Sequence, residues 1–358
     1  MIKLFEPDVG IEEIKSAQNV LQSKLWASGT GTGKVLEFEN KFRKYINSKN
    51  CITVNSGTAA LNLALSICDI KNKEVILPSL TFVATVNAVI MNGGKPVFVD
   101  IDPNTLNIDP EKIENHISKK TKAILPVHFG GLSCDLNKIN SLAKKHNLKI
   151  IEDAAHAAGA SYKNKKIGSH SMAVCFSFHP IKNLAMPTGG LISINDKNYE
   201  KIRKLLFARR WCGITDRKET LYDVKEIGNN YYMNELSAAI GLIQLKKLDK
   251  LNSIRRKIAK RYHQEIKLNT KMQYDKNCSY HLYWILVKNR NEFRKKLSSY
   301  KIETGTHYKP VHTFSFYKSK SKLKITENVG KSIVTIPCHP NLKESDVDKI
   351  ISLTNKFS

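Results

Sequence analysis

From residue 51 the chain alternates short apolar runs with longer segments of helical periodicity, and few folds accept that alternation. The runs at 51–55, 74–77, 96–100, 123–127, 149–153, 173–178 and 191–194 are rich in Val, Ile and Leu. Helical spacing fills most of the gaps, at 59–68, 84–91, 110–117 and 136–145. A strand that is apolar throughout must be covered on both faces, which places helices above and below one sheet. The pattern predicts an α/β chain with a largely parallel seven-stranded sheet. Ligands of such sheets bind at the carboxyl ends of the strands, so the turns after each run are where chemistry is sought.

Four of those turns carry reactive or anchoring residues. The first, Asn55-Ser-Gly-Thr-Ala-Ala60, runs from a strand directly into a helix, with Gly57 allowing a tight turn. Thr58 and Ala59 then offer amides at a helix N-terminus, a site for one phosphate, although Ser-Gly-Thr is also a common cap. The second turn places Phe82 before a helix, where an aromatic can stack on a planar ring or join the core. In the third, Asp153 ends the apolar run Ile150-Ile-Glu-Asp153 and His156 follows it closely. A carboxylate at that depth needs a cationic partner, which a protonated pyridine nitrogen would supply; alone, it reads as a helix cap.

The fourth turn, Phe176-Ser-Phe-His-Pro-Ile-Lys-Asn183, holds Ser177, His179 and Lys182. Among 58 Lys and Arg, an isolated loop lysine is ordinarily solvated. Partial burial at a strand end would instead lower its pKa and make the amine nucleophilic. A phosphate cradle, an aromatic, a carboxylate and a lysine at successive strand ends together describe a holder for pyridoxal 5'-phosphate.

The remaining stretches frame this sheet. Residues 11–24 and 35–46 have helical spacing and flank the loop Leu25-Trp-Ala-Ser-Gly-Thr-Gly-Thr-Gly-Lys34. That loop is no P-loop, because Ser28 and Val35 stand where the motif needs a glycine and a hydroxyl. Trp26 within it is a candidate for substrate contact, with a surface turn as the bland alternative. After Gln244 come a Lys-rich helical pattern at 242–266, short β runs such as 281–287 and a final helix near 344–353. Two domains are expected: 1–245, with N-terminal helices and a substrate loop in 1–50, and a smaller α+β unit, 246–358.

The net charge of +26 is spread along the chain without a basic tail or aromatic-interleaved block, which argues against nucleic acid. No apolar run approaches a membrane span and the first residues lack a signal-peptide core, so no membrane partner is expected. Seven scattered cysteines, none in a Cys-x-x-Cys pair, argue against a disulfide framework or metal site and for the reducing cytoplasm.

The sequence resembles the DegT/StrS-type nucleotide-sugar aminotransferases, with the fold-type-I architecture of aspartate aminotransferase, over nearly its whole length. The resemblance rests on Phe38-Glu39, Ser56-Gly-Thr-Ala-Ala60, Pro78-Ser-Leu-Thr-Phe82, Pro96-Val-Phe-Val-Asp100, Glu152-Asp-Ala-Ala-His156, Ser177-Phe-His-Pro-Ile-Lys-Asn183, Ala238-Ala-Ile-Gly-Leu-Ile-Gln-Leu245 and Thr306-His-Tyr-Lys-Pro310, in that order. It implies Lys182 as the Schiff-base lysine, Asp153 as partner of the pyridine nitrogen, Phe82 as the stacking residue and His156 as a contact to the ring hydroxyl. Thr58, Ala59 and Ser177 are implied as phosphate ligands, and Asn230 as a phosphate ligand reaching across a homodimer with shared sites. His307 and Tyr308 match a motif near the substrate, and His179 lies beside the lysine.

Two segments depart from the family pattern. Asn230-Tyr231-Tyr232 stands where many relatives read Asn-Tyr-Arg, and Met186-Pro-Thr-Gly-Gly190 where Gly-Glu-Gly-Gly is usual. The expected reaction is transfer of an amino group from glutamate to a keto sugar carried by a nucleotide, in amino-sugar or surface-polysaccharide biosynthesis. The rivals are a sugar dehydratase of the same fold, which carries histidine in place of the lysine, and a regulator that binds the cofactor without turnover.

Overall fold

The computed structural model describes residues 1–358 except Ser28 and Lys318. Its centre is a seven-stranded sheet made of β1 (Asn50–Val54), β2 (Glu74–Pro78), β3 (Lys95–Val99), β4 (Thr121–Ile124), β5 (Lys149–Asp153), β6 (Ala173–Ser177) and β7 (Gly190–Ile194). The strand order is β1-β7-β6-β5-β4-β2-β3. All pairs are parallel except those of β7, which runs against both β1 and β6.

Alternation along the strands feeds two different cores. Ile52, Val75, Leu77, Ile151, Ala173 and Cys175 pack with the helices Gly57–Ser66 and Val83–Met91. Their neighbours Cys51, Ile76, Ile150, Val174 and Phe176 point the other way, onto the helices Gly33–Ile46 and Leu136–Lys145. Both faces are therefore buried, as continuous apolar strands require. β4 stops before its expected end at Val127, because Pro126 has no N–H to extend the ladder. The expected helix 110–117 is α-helical over Pro110–Ile113 and tightens to a 3₁₀ turn over Glu114–His116.

The Lys-rich helix begins earlier than its periodicity suggested. It runs unbroken over Glu235–Glu265, its first turn capped by Asn234, whose side chain accepts from the Ser237 amide. The boundary expected at 245/246 falls inside it. Its first half, through Leu242 and Leu248, packs under the sheet. The second half, through Ile258, Ala259 and Tyr262, joins a third core with Tyr283, Trp284, Phe293, Ile336 and Ile350. That core also contains the antiparallel pair Tyr283–Leu286 and Ile333–Ile336 and, from the opposite end of the chain, Ile2 and Phe5. Ile2 pairs with Ile302. A hairpin that the sequence pattern had not suggested, Ile214–Lys218 with Leu221–Val224, stands out with its second strand exposed.

Candidate active site

The carboxyl ends of β1, β2, β5 and β6 open on one cavity of about 280 Å³. Thr58, Phe82, Asp153, His156, Ser177, His179, Lys182, His307 and Tyr308 all line it. Trp26 does not; it is exposed, its indole N–H donating to Leu21 O, and its place is set by Glu235 N donating to its carbonyl. Asn230 is also outside the lining, exposed and accepting at its carbonyl from Asn55 Nδ2.

At the first turn the cap reading of Ser56-Gly-Thr is the one with an observed hydrogen bond, and it corrects the expectation for Ala59. Ser56 Oγ accepts from the Ala59 amide at 3.1 Å, so that amide is a capped donor and not a free one. Gly57 and Thr58 lie in the first helical turn, whose N–H groups have no intrahelical acceptor. A Cβ on Gly57 would sit 2.7 Å from Ser177 Cβ, so only glycine lets the two turns close around a small anion.

Asp153 is buried at the end of β5 and receives two hydrogen bonds, from Thr85 Oγ1 at 2.8 Å and from the Ala155 amide at 3.1 Å. Burial pushes its carboxyl pKa up, and these donors with Lys182 oppose the rise. Such a carboxylate gains from a cation placed in the cavity. Thr85 one turn into the helix was not visible as a site residue from sequence; it reaches Asp153 because helix and strand end face each other.

Lys182 is enclosed by the cavity wall, although part of its side chain still meets solvent. Burial lowers its pKa from 10.5 to about 8, with Asp153 opposing. The loop around it is rigid. Lys182 N donates to His179 O, Met186 N to Phe178 O, and Asn183 Nδ2 to both Asn252 Oδ1 and Ser279 O at 2.7 Å. The loop that carries the lysine is thus tied to the long helix through Asn252 and to the C-terminal region through Ser279.

His156 is held by two contacts. Its Nδ1 accepts from the Gly130 amide at 3.3 Å, which leaves the ring proton on Nε2, 3.1 Å from the Tyr308 hydroxyl. Burial beside Lys182 and His307 keeps the imidazole neutral. His307 in turn is fixed by Thr335 Oγ1 at 2.8 Å. The departures after the lysine separate into two kinds. Met186 is a buried plug against Gly189 and Gly241, where no Cβ would fit, whereas Thr188 lines the cavity and donates to Asn55 O.

These groups fit pyridoxal phosphate: amides and Ser177 for the phosphate, Phe82 at the cavity wall, Asp153 for the ring nitrogen, His156 and Lys182 toward the ring substituents. The comparisons agree. The family model of the DegT/DnrJ/EryC1/StrS aminotransferases matches residues 7–354. The spore coat polysaccharide biosynthesis protein SpsC of Bacillus subtilis is 38% identical, over 96% of this chain and 94% of that one. Helicobacter pylori PseC, an aminotransferase involved in the biosynthesis of pseudoaminic acid, superposes with a TM-score of 0.92 at 31% identity, covering 99% and 98% of the two chains. Spr1654 of Streptococcus pneumoniae in its pyridoxal phosphate form gives 0.92 at 26% identity, over 99% of both chains. The chain belongs to the DegT/DnrJ/EryC1/StrS aminotransferase family and is a pyridoxal-phosphate-dependent aminotransferase of fold type I.

Proposed function

We propose that the enzyme transfers an amino group from glutamate to a keto sugar carried by a nucleotide, in the biosynthesis of an amino sugar for a surface polysaccharide. The observation that carries this reading is the meeting of Thr58, Phe82, Asp153 and Lys182, from four strand ends, around one cavity. When bound, the cofactor supplies an aldehyde for the amine and an electron sink for the carbanion. Asp153, buried and fixed by Thr85 and Ala155, holds the proton on the ring nitrogen. Lys182 Nζ, with a pKa of about 8, sits close enough to neutrality to take a proton from the donor's α carbon and release it again. Lys182 also speaks against the dehydratase, in which a histidine occupies this position. A sugar substrate is supported by the relatives: PseC is involved in the biosynthesis of pseudoaminic acid and SpsC in that of a spore coat polysaccharide.

A homodimer with shared sites accords with Asn230, exposed beside a hairpin whose Leu221, Tyr222 and Val224 are exposed as well. Seven unpaired thiols, six of them buried, accord with a reducing cytoplasm. The test is to supply the purified protein with pyridoxal phosphate, glutamate and a panel of nucleotide-linked keto sugars, and to follow 2-oxoglutarate. Turnover with at least one sugar nucleotide is expected, and none with Lys182→Ala. Visible absorbance from lysine-bound cofactor without turnover on any sugar would favour a non-catalytic binder and overturn the proposal. Sharing is tested by mixing Lys182→Ala with Asn230→Ala subunits: hybrids should regain part of the activity that each variant lacks alone, and no recovery would refute it.

A further inference from the structure

The amine of Lys182 meets a second histidine that no strand end supplies. His281 Nε2 lies 3.4 Å from Lys182 Nζ, across 99 positions of sequence. The imidazole is 2% exposed and stacks on Phe5, with ring centroids 5.3 Å apart and planes inclined by 16°. Its ring centroid is also 4.4 Å from that of His156, the planes inclined by 43°. Phe5 is itself fixed, because the N-terminal segment is tied down by Ile2 N to Lys301 O, Leu4 N to Glu303 and His339 to Lys3 O. The ring is therefore packed by Phe5 and His156, and its Nε2 lies within hydrogen-bond distance of the lysine amine.

The charges around this ring are all positive or neutral: Lys182, His156, His307 and Arg255 face it, while Asp153 acts from beyond the lysine. Burial, and after it these neighbours, keeps His281 uncharged. A neutral imidazole has one N–H and one bare nitrogen. With Nε2 bare it accepts from the ammonium of Lys182; with the proton on Nε2 it donates to the lone pair of the free amine. His281 Nδ1 is buried with no hydrogen-bond partner among the described residues, so nothing fixes one tautomer over the other.

We infer that His281 is a positioning residue that holds the Lys182 amine in place, in either protonation state, whenever that amine is not bonded to the cofactor. The inference rests on the cofactor reading of the site and adds to it a resting place for the released lysine. Phe5 acts one step further out, by packing on the imidazole.

The full chain without cofactor provides the test. Amines are labelled with acetic anhydride over a range of pH, and acetylation of Lys182 is quantified by mass spectrometry. In His281→Phe both bonds are lost, and the one to the ammonium, being charge-assisted, is the stronger, so the Lys182 midpoint should fall by about one pH unit, a tenfold change in the protonation ratio. His281→Gln, which keeps an acceptor, should restore it. Capture of added pyridoxal phosphate, read by visible absorbance, should slow several-fold in His281→Phe and recover in His281→Gln. A folded His281→Phe protein with the wild-type labelling profile and capture rate would overturn the inference. Should that variant not fold, Phe5→Ala is read in the same assay; a shifted Lys182 profile is expected, and an unchanged one overturns the role. Failure of the cofactor reading looks different: wild-type protein would then capture no pyridoxal phosphate, whatever the labelling shows.

Discussion

Two enclosed cations, Arg210 and Lys182, differ in how they are paired, and the difference bears on the role we propose for the lysine. Arg210 is fully buried, with Nη1 3.2 Å from Glu39 Oε1 and 3.0 Å from Thr53 O, and its guanidinium lies 4.1 Å from the Phe207 ring centroid. Glu39 is satisfied in turn by the amide and hydroxyl of Thr53, both at 2.8 Å. Burial lowers the arginine's pKa and Glu39 opposes the shift, but a guanidinium stays charged at any working pH. Lys182 has no carboxylate within ion-pair distance among the described residues; its nearest polar partner is a neutral imidazole, and its pKa falls to about 8. A directly paired cation locks an early helix to a strand. A cation whose counter-charge stands off can lose its proton, which is the state a nucleophile and base needs.

The largest effect that would break this contrast is on turnover. Lys182→Ala should cost on the order of 10⁴-fold in rate, with loss of the visible cofactor band, while the protein still folds. A variant that kept activity within tenfold would remove the functional half of the comparison.

Next in size is the structural half. Glu39→Ala leaves the Arg210 charge buried without its partner, and should destabilise the protein by about 3–5 kcal/mol in chemical denaturation. The remaining folded fraction should still bind cofactor. Unchanged stability would mean that Glu39 does not compensate Arg210 as the geometry implies.

The smallest effect sharpens the comparison through pH. A base whose pKa is depressed by folding binds fewer protons folded than unfolded between the two values. Stability of the cofactor-free protein should therefore rise with pH between about 8 and 10.5 through this group, by at most about 1.4 kcal/mol per pH unit. Below pH 8 the contribution is flat and unfavourable. Lys182→Met should lack the increment, and subtracting the two pH profiles isolates it. Arg210 contributes no such slope over the same window.

How much of this could be read in advance depends on the range of the signal. β5 and the helix Leu136–Lys145 fall where their periodicity puts them, because burial on a sheet face and helical spacing are local properties. The places of Asp153, Ser177 and Lys182 around the cavity were legible because a strand end fixes where its next residues go. Ala59 was half legible: Ser-Gly-Thr specifies both a cap and an anion turn, and the Ser56 hydroxyl takes the amide. Trp26 and Asn230 lie outside the cavity that a single chain encloses.

The sequence by itself determined the layered α/β frame, the order of the turns that meet at the cavity and the candidacy of one lysine among so many others. Continuous apolar strands admit only a sheet covered on both faces, and such a sheet gathers its strand ends on one edge. Tertiary structure alone decided the environment of that lysine. His281, Phe5 and Asn252 come from distant segments whose meeting depends on how the long helix carries the C-terminal core back over the sheet. No local period encodes that closure. It also made Met186 a plug and Thr188 a wall of the cavity, because the two residues of one loop face opposite sides of it.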